Sequence, residues 1–140
     1  MFKIDVDSAF GQRALARLQA EEIVWLITVD GKGTPQPSPV WFLWDDGSML
    51  IYSQPNTPKL RNLVRHPRCT MHFNTDTYGD NVVVLLGTAS VDTSAPRAAD
   101  VPDYFAKYQR GLSSLGMTSE QFAADYSVAI CFQPERLRGF

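Results

Sequence analysis

The chain has 140 residues and a formal net charge of −2, enough for one hydrophobic core and a single domain over 1–140. Hydrophobic residues make up 44% and charged residues 20%, a globular balance that excludes disordered and fibrous classes. The slight acidity gives no reason to expect nucleic-acid or membrane-surface partners, and no apolar run approaches the roughly 18–20 residues of a membrane helix.

The first seven residues carry two acids where a secretory leader needs an apolar stretch. Cys69 and Cys131 therefore read as the reduced thiols of a cytoplasmic protein. Leu15, Leu18 and Ile23 recur at near-helical spacing and predict a helix over 8–22, with Ser8 as its cap. A strand follows over 25–30, and Asp30-Gly-Lys-Gly reads as a hairpin turn. The next strand, over 35–45, begins with Pro35, Pro37 and Pro39 in alternation. None of the three can donate to a ladder, so this strand belongs at an edge or an opening. Asp45-Asp-Gly-Ser turns the chain into a third strand over 49–53.

Residues 57–66 predict a short helix. Leu60, Leu63 and Val64 form its apolar face; Lys59, Arg61, Asn62 and Arg65 lie off it. Further strands are expected over 68–74, 82–91 with a bend at Gly87, and 127–132. A helical region over 100–125 is expected to break near Gly111 and Gly116. Six antiparallel strands with too few helices to cover an open sheet argue for a mainly β fold, a small closed or nearly closed barrel. Its interior fills with side chains, so a ligand binds outside it, in a groove or between subunits.

Catalytic motifs of the common kinds are absent from the sequence. There is no Gly-x-Gly-x-x-Gly or Walker loop, no Gly-x-Ser-x-Gly elbow and no His-x-x-x-His or Cys-x-x-Cys pattern to bind a metal. His66 and His72 read as structural, and Asp45-Asp46 as a solvated turn. Trp25, Trp41 and Trp44 read first as core. Trp41 and Trp44, three apart on a strand, point to opposite faces, so at most one meets a ligand. Tyr78, Gly79 and Tyr126 read first as loop or core residues, with a pocket wall as the alternative. The segment Ser53-Gln-Pro-Asn-Thr-Pro-Lys59 stands apart. A strand ends at Ser53, Thr57 suits an N-cap and Pro58 the first helical position. Helix-start N–H groups, two hydroxyls and an ammonium make a plausible phosphate cradle.

Trp41-Phe-Leu-Trp, Tyr52-Ser-Gln-Pro-Asn-Thr-Pro-Lys-Leu-Arg-Asn, Pro67-Arg68, Asp125-Tyr-Ser-Val-Ala-Ile and Arg136-Leu-Arg-Gly-Phe occur in an order that resembles the pyridoxamine-phosphate-oxidase-like split-barrel proteins. Within them the chain looks most like the small deazaflavin (coenzyme F420)-dependent oxidoreductases. The resemblance implies a six-stranded split barrel and a homodimer with cofactor sites at its interface. It implies hydride transfer from F420 to a conjugated small-molecule acceptor. The alternatives are an FMN-dependent oxidoreductase on the same site and a non-catalytic dimer that binds flavin or haem. No side chain is expected to be catalytic in its own right, because the cofactor carries the hydride. Ser53, Thr57 and Lys59 are implied near the phosphate, with Arg61 and Asn62 extending that site. Pro37, Ser38, Pro39, Val40 and Trp41 are implied beside the ring system. The chain lacks the extended C-terminal substrate-binding segment of true pyridoxamine-phosphate oxidases, which argues against vitamin B6 oxidation.

Overall fold

The computed structural model describes residues 2–140. Helix α1 (Ala9–Ala20) starts as expected, with the Ser8 hydroxyl accepting from the Gly11 N–H at 2.9 Å. Seven antiparallel strands follow among the described residues: β1 (Val24–Val29), β2 (Pro35–Val40), β3 (Leu43–Asp45), β4 (Ser48–Ser53), β5 (Arg68–His72), β6 (Val83–Val91) and β7 (Val128–Gly139). Helix α2 (Pro58–Arg65) joins β4 to β5. Between β6 and β7 come a single 3-10 turn and three short helices, α3 (Pro102–Lys107), α4 (Gln109–Ser114) and α5 (Ser119–Asp125).

The strands form one sheet in the order β2-β1-β5-β6-β7-β4-β3. β2 and β3 end that order, yet only residues 41 and 42 separate them in sequence. Three Cα steps reach ~11 Å at most. Six strand spacings of ~4.8 Å would hold the edges of a flat sheet ~29 Å apart. The sheet therefore curls until its edges nearly meet, and the result is a split barrel.

The expectation of six strands is corrected here. The strand expected over 35–45 is two strands on opposite edges. At the break, the Phe42 N–H donates to the Tyr108 hydroxyl at 2.8 Å, and its carbonyl accepts from the Lys107 ammonium at 2.7 Å. Side chains thus occupy the backbone groups that would have extended a ladder. The proline reading holds: β2 is an edge strand, with Pro35, Pro37 and Pro39 opposite Val29, Ile27 and Trp25 of β1 and, among the described residues, no partner on its other side. The final strand is longer than the expected 127–132. It runs to Gly139 along β6, past an irregularity where Gly87 faces Pro134. A Cβ on Gly87 would lie 2.1 Å from the Gln133 carbonyl oxygen, so the bend needs glycine.

Two hydrophobic clusters result. The barrel interior holds Leu26, Phe42, Met49, Ile51, Met71, Leu85, Ile130 and Phe132, all fully buried. The second lies between the outer face of β4 and β7 and the helices α3–α5, around Tyr52, Tyr104, Tyr108 and Phe122. The helical break expected near Gly111 falls three residues earlier, at Tyr108 between α3 and α4. Gly111 lies inside α4, where a Cβ would come within 2.8 Å of the Trp41 ring. The chain breaks again at Gly116, as expected, where φ is +67°.

Candidate cofactor site

The turn after β4 and the start of α2 place Lys59 between two cavities. One, of about 360 Å³, is largely aromatic and is lined by Pro39, Val40, Trp41, Tyr52, Leu115, Phe122 and Tyr126, with Gln54, Thr57 and Lys59 at its polar end. The other, of about 500 Å³, is lined by Thr28, Asp30, Gln36, Pro37, Ser38, Thr57, Pro58, Lys59 and Asn62. Thr57 and Lys59 belong to both. A third hollow, beside Asp92 and Arg97, shares only Tyr52 and Tyr126 with the aromatic one.

Lys59 is half-buried, and among the described residues its ammonium has no carboxylate within ion-pair distance. Burial holds its pKa below the ordinary lysine value. A desolvated cation without a counter-charge is a standing cost that a bound anion removes. Pro58 occupies the first turn of α2, and no acid does, so the dipole of this helix start also favours an anion.

Ser53 is buried behind this point rather than exposed to it. Its hydroxyl donates to the Gln54 carbonyl at 2.8 Å and lies 3.2 Å from the Thr57 hydroxyl. Ser53 thereby orients Thr57, and Thr57 faces the cavities. The expectation that Thr57 caps α2 through its side chain is corrected: it stands at the N-cap position but makes no capping bond. Asn62 also departs from its expected solvent face. It is buried, and its amide donates to the Thr28 hydroxyl at 3.0 Å, pinning α2 to β1. Val64, expected on the apolar face, is 82% exposed instead. The helix has turned so that Lys59, Asn62 and Leu63 face the barrel, because the Thr28 hydroxyl gives Asn62 a buried partner.

The implied ring-side residues divide. Pro39, Val40 and Trp41 line the aromatic cavity, whereas Pro37 and Ser38 line the polar one. Trp41 is sandwiched between Tyr108, with ring centroids 4.4 Å apart and planes 2° from parallel, and Phe122 at 5.4 Å. Trp44 packs against the barrel interior, so only one of the pair meets a cavity. Arg61 lines neither cavity; its guanidinium donates to the Asn56 carbonyl at 2.7 Å. Tyr78 is 90% exposed and also lines neither.

Sequence reasoning missed Leu115 and Phe122, which come from the distant α4–α5 region, and Asp30 and Gln36 across the β1–β2 hairpin. Tyr126 takes the second of its two readings and walls a cavity. For Asp30 a signal existed. An Asp that opens a Gly-rich turn beside an edge strand faces whatever the edge faces.

A curled antiparallel sheet whose edges nearly meet defines a class, the split-barrel proteins, here with a polar cavity beside an aromatic one. The family model described as pyridoxamine 5'-phosphate oxidase matches residues 10–139, and the chain belongs to this family. A putative pyridoxamine 5'-phosphate oxidase from Listeria innocua superposes with a TM-score of 0.65 at 21% identity, covering 91% of this chain and 94% of that one. An F420 reductase superposes at 0.64 and 22%, covering 88% and 94%. The haem storage protein HutZ from Vibrio cholerae superposes at 0.60 and 16%, covering 99% and 95%. At these identities the likeness is one of fold. A comparison with curated proteins finds no match.

Proposed function

We propose that the chain is an oxidoreductase that uses reduced coenzyme F420 to transfer a hydride to a conjugated small-molecule acceptor, with FMN as the alternative cofactor on the same site. The observation that carries this reading is the half-buried, unpaired Lys59 at the junction of an aromatic cavity and a polar one. A ligand with a phosphate between a flat ring and a polar tail matches that order of surfaces. F420 and FMN both supply hydride chemistry through a tricyclic ring when bound.

The residues of the chain bind and orient. Lys59 and Thr57 hold the phosphate, with Ser53 fixing Thr57. Trp41, Phe122 and Tyr126, stacked one on another, form an aromatic wall that excludes water from the ring. The edge prolines keep that side of β2 free of competing N–H donors. The two cavities offer no His, Cys or Met as an axial haem ligand, and the Tyr52 hydroxyl already donates to the Pro96 carbonyl at 2.7 Å. Apart from the Tyr126 hydroxyl and the Lys59 amine, that lining favours a ring held by packing over an iron held by a ligand. The reading includes a homodimer with sites at its interface, supported by the open, Leu115-lined mouth of the aromatic cavity, where Leu115 is 55% exposed. A monomer in sedimentation would remove that component.

The test is a parallel fluorescence titration with F420 and FMN on the wild type and Lys59→Ala. F420 is expected to bind more tightly than FMN. The substitution is expected to cost about 1.5–3 kcal/mol of binding, the worth of a charge-assisted hydrogen bond. No binding below millimolar, or no effect of the substitution, would refute the site. Reduced F420 should then lose its hydride to a quinone, an enone or a tetrapyrrole from an acceptor panel; tight binding without transfer to any of them would favour a carrier.

A further inference from the structure

We infer that the polar cavity beyond Lys59 selects among cofactor tails. It accepts a short or neutral, hydroxyl- and amide-bearing continuation of the phosphate and disfavours a long polyglutamyl one. This inference rests on the cofactor reading above and adds the chemistry of the tail.

The cavity's charge is decisive. Among the described residues lining it, Lys59 is the one cation and Asp30 the one anion. The phosphate takes up Lys59. What remains is the Asp30 carboxylate among neutral groups, chiefly the Thr28 and Ser38 hydroxyls and the Gln36 and Asn62 amides. The hairpin holds Asp30 in place. One carboxylate oxygen accepts from the Lys32 and Thr34 N–H groups at 2.9 Å each, and the other accepts from the Gln36 amide at 3.0 Å. These bonds, led by that from Gln36, keep its pKa below the ordinary carboxylate value, so it is anionic at neutral pH.

The cations that would welcome a polyanion are elsewhere. Arg61 is turned onto the Asn56 carbonyl. Arg65 lies against Gly31 on the hairpin, where its charge helps to lower the Asp30 pKa, but it does not line the cavity. Lys32 is exposed in the turn. Each glutamate carboxylate entering the cavity therefore meets a fixed like charge and, among the described residues lining it, no free cation. At interior-to-surface dielectric and physiological salt, such repulsion weakens binding by about threefold to tenfold. A hydroxyl or amide meets acceptors and donors already in position.

The experiment compares F420 carrying one glutamate with F420 carrying a long glutamyl chain, by fluorescence titration at fixed ionic strength, with FMN in parallel. The wild type should bind the long form about threefold or more weakly than the short one. Asp30→Asn should abolish that difference. Because this substitution could loosen the hairpin, Gln36→Lys is the second variant. It brings a cation beside Asp30 without touching the backbone bonds and should reverse the preference in favour of the long form. Tighter binding of the long form by the wild type, or a preference that neither variant moves, overturns the inference and leaves the cofactor reading standing. Failure of F420 and FMN alike to bind, or indifference to Lys59→Ala, overturns the cofactor reading and this inference with it.

Discussion

The barrel interior and the helical cap are both closely packed, but they are built from opposite materials. The interior is aliphatic and phenyl, with Leu26, Met71, Leu85, Ile130 and Phe132 sealed from solvent and carrying no polar side-chain group. The cap is a run of rings in contact: Tyr52 against Tyr104, Tyr104 against Tyr108, Tyr108 against Trp41, Trp41 against Phe122, and Phe122 against Tyr126. Its hydroxyls reach far along the chain. That of Tyr108 donates to the Glu22 carbonyl at 2.7 Å while accepting from Phe42, and that of Tyr52 reaches Pro96. An aliphatic interior asks for volume and pattern, whereas a cap of tyrosines asks for particular partners. The candidate site is built on the cap side, where shape is more exacting.

The largest expected effect lies in the interior. Leu85→Ala should lower stability by about 3–5 kcal/mol in denaturant unfolding, because the fully buried β6 position leaves a cavity. Cofactor affinity per folded molecule should hardly change, and a large change would break the separation of the two regions.

Next is Tyr108→Phe, expected to cost about 1–3 kcal/mol by leaving the buried Phe42 N–H without its acceptor. Because that bond sits at the β2–β3 break beside Trp41, this variant should weaken cofactor binding as well, which Leu85→Ala should not.

A third effect is one of pH. Burial lowers the Lys107 pKa from 10.5 to about 8. Above pH 8 the folded form releases a proton that the unfolded chain keeps until 10.5. The unfolded state therefore binds more protons in that window, and stability should rise with pH across it. Above about pH 9 the Cys69 thiol, and above about pH 10 the Tyr52 hydroxyl, each pushed up to about 12 by burial, act with the opposite sign. Melting curves between about pH 8 and 9 should show the rise in the wild type and lose it in Lys107→Met.

The smallest effect is expected at Tyr104, whose buried hydroxyl has no partner. Tyr104→Phe should shift stability by less than about 0.5 kcal/mol, or raise it slightly. A loss comparable with that of Tyr108→Phe would mean that this hydroxyl, too, carries a bond on which the cap depends.

These contrasts also show where sequence reading succeeds. Alternating Pro35, Pro37 and Pro39 identified an edge strand because a missing donor is a local fact that no packing can restore. Ser8 identified a helix start, and Asp30-Gly-Lys-Gly a hairpin, for the same reason. The prominence of Lys59 was also legible, since few positions combine a strand end, a proline-led helix start and a cation.

What the sequence left open was settled by partners distant in the chain. Val40-Trp-Phe-Leu-Trp has the composition of an unbroken strand. It breaks because Lys107 and Tyr108, 65 and 66 residues later, claim both backbone groups of Phe42. Asn62 has the composition of a surface residue, but the Thr28 hydroxyl, 34 residues earlier, offers it a buried partner. By itself the sequence determined most of the strands and turns, the proline edge and the place of Lys59 at a helix start, all of which follow from local stereochemistry. Only the tertiary structure decided how the edges of the sheet meet, which rings wall the aromatic cavity and that Asp30 faces the polar one. Those depend on long-range contacts whose geometry exists only once the sheet has curled.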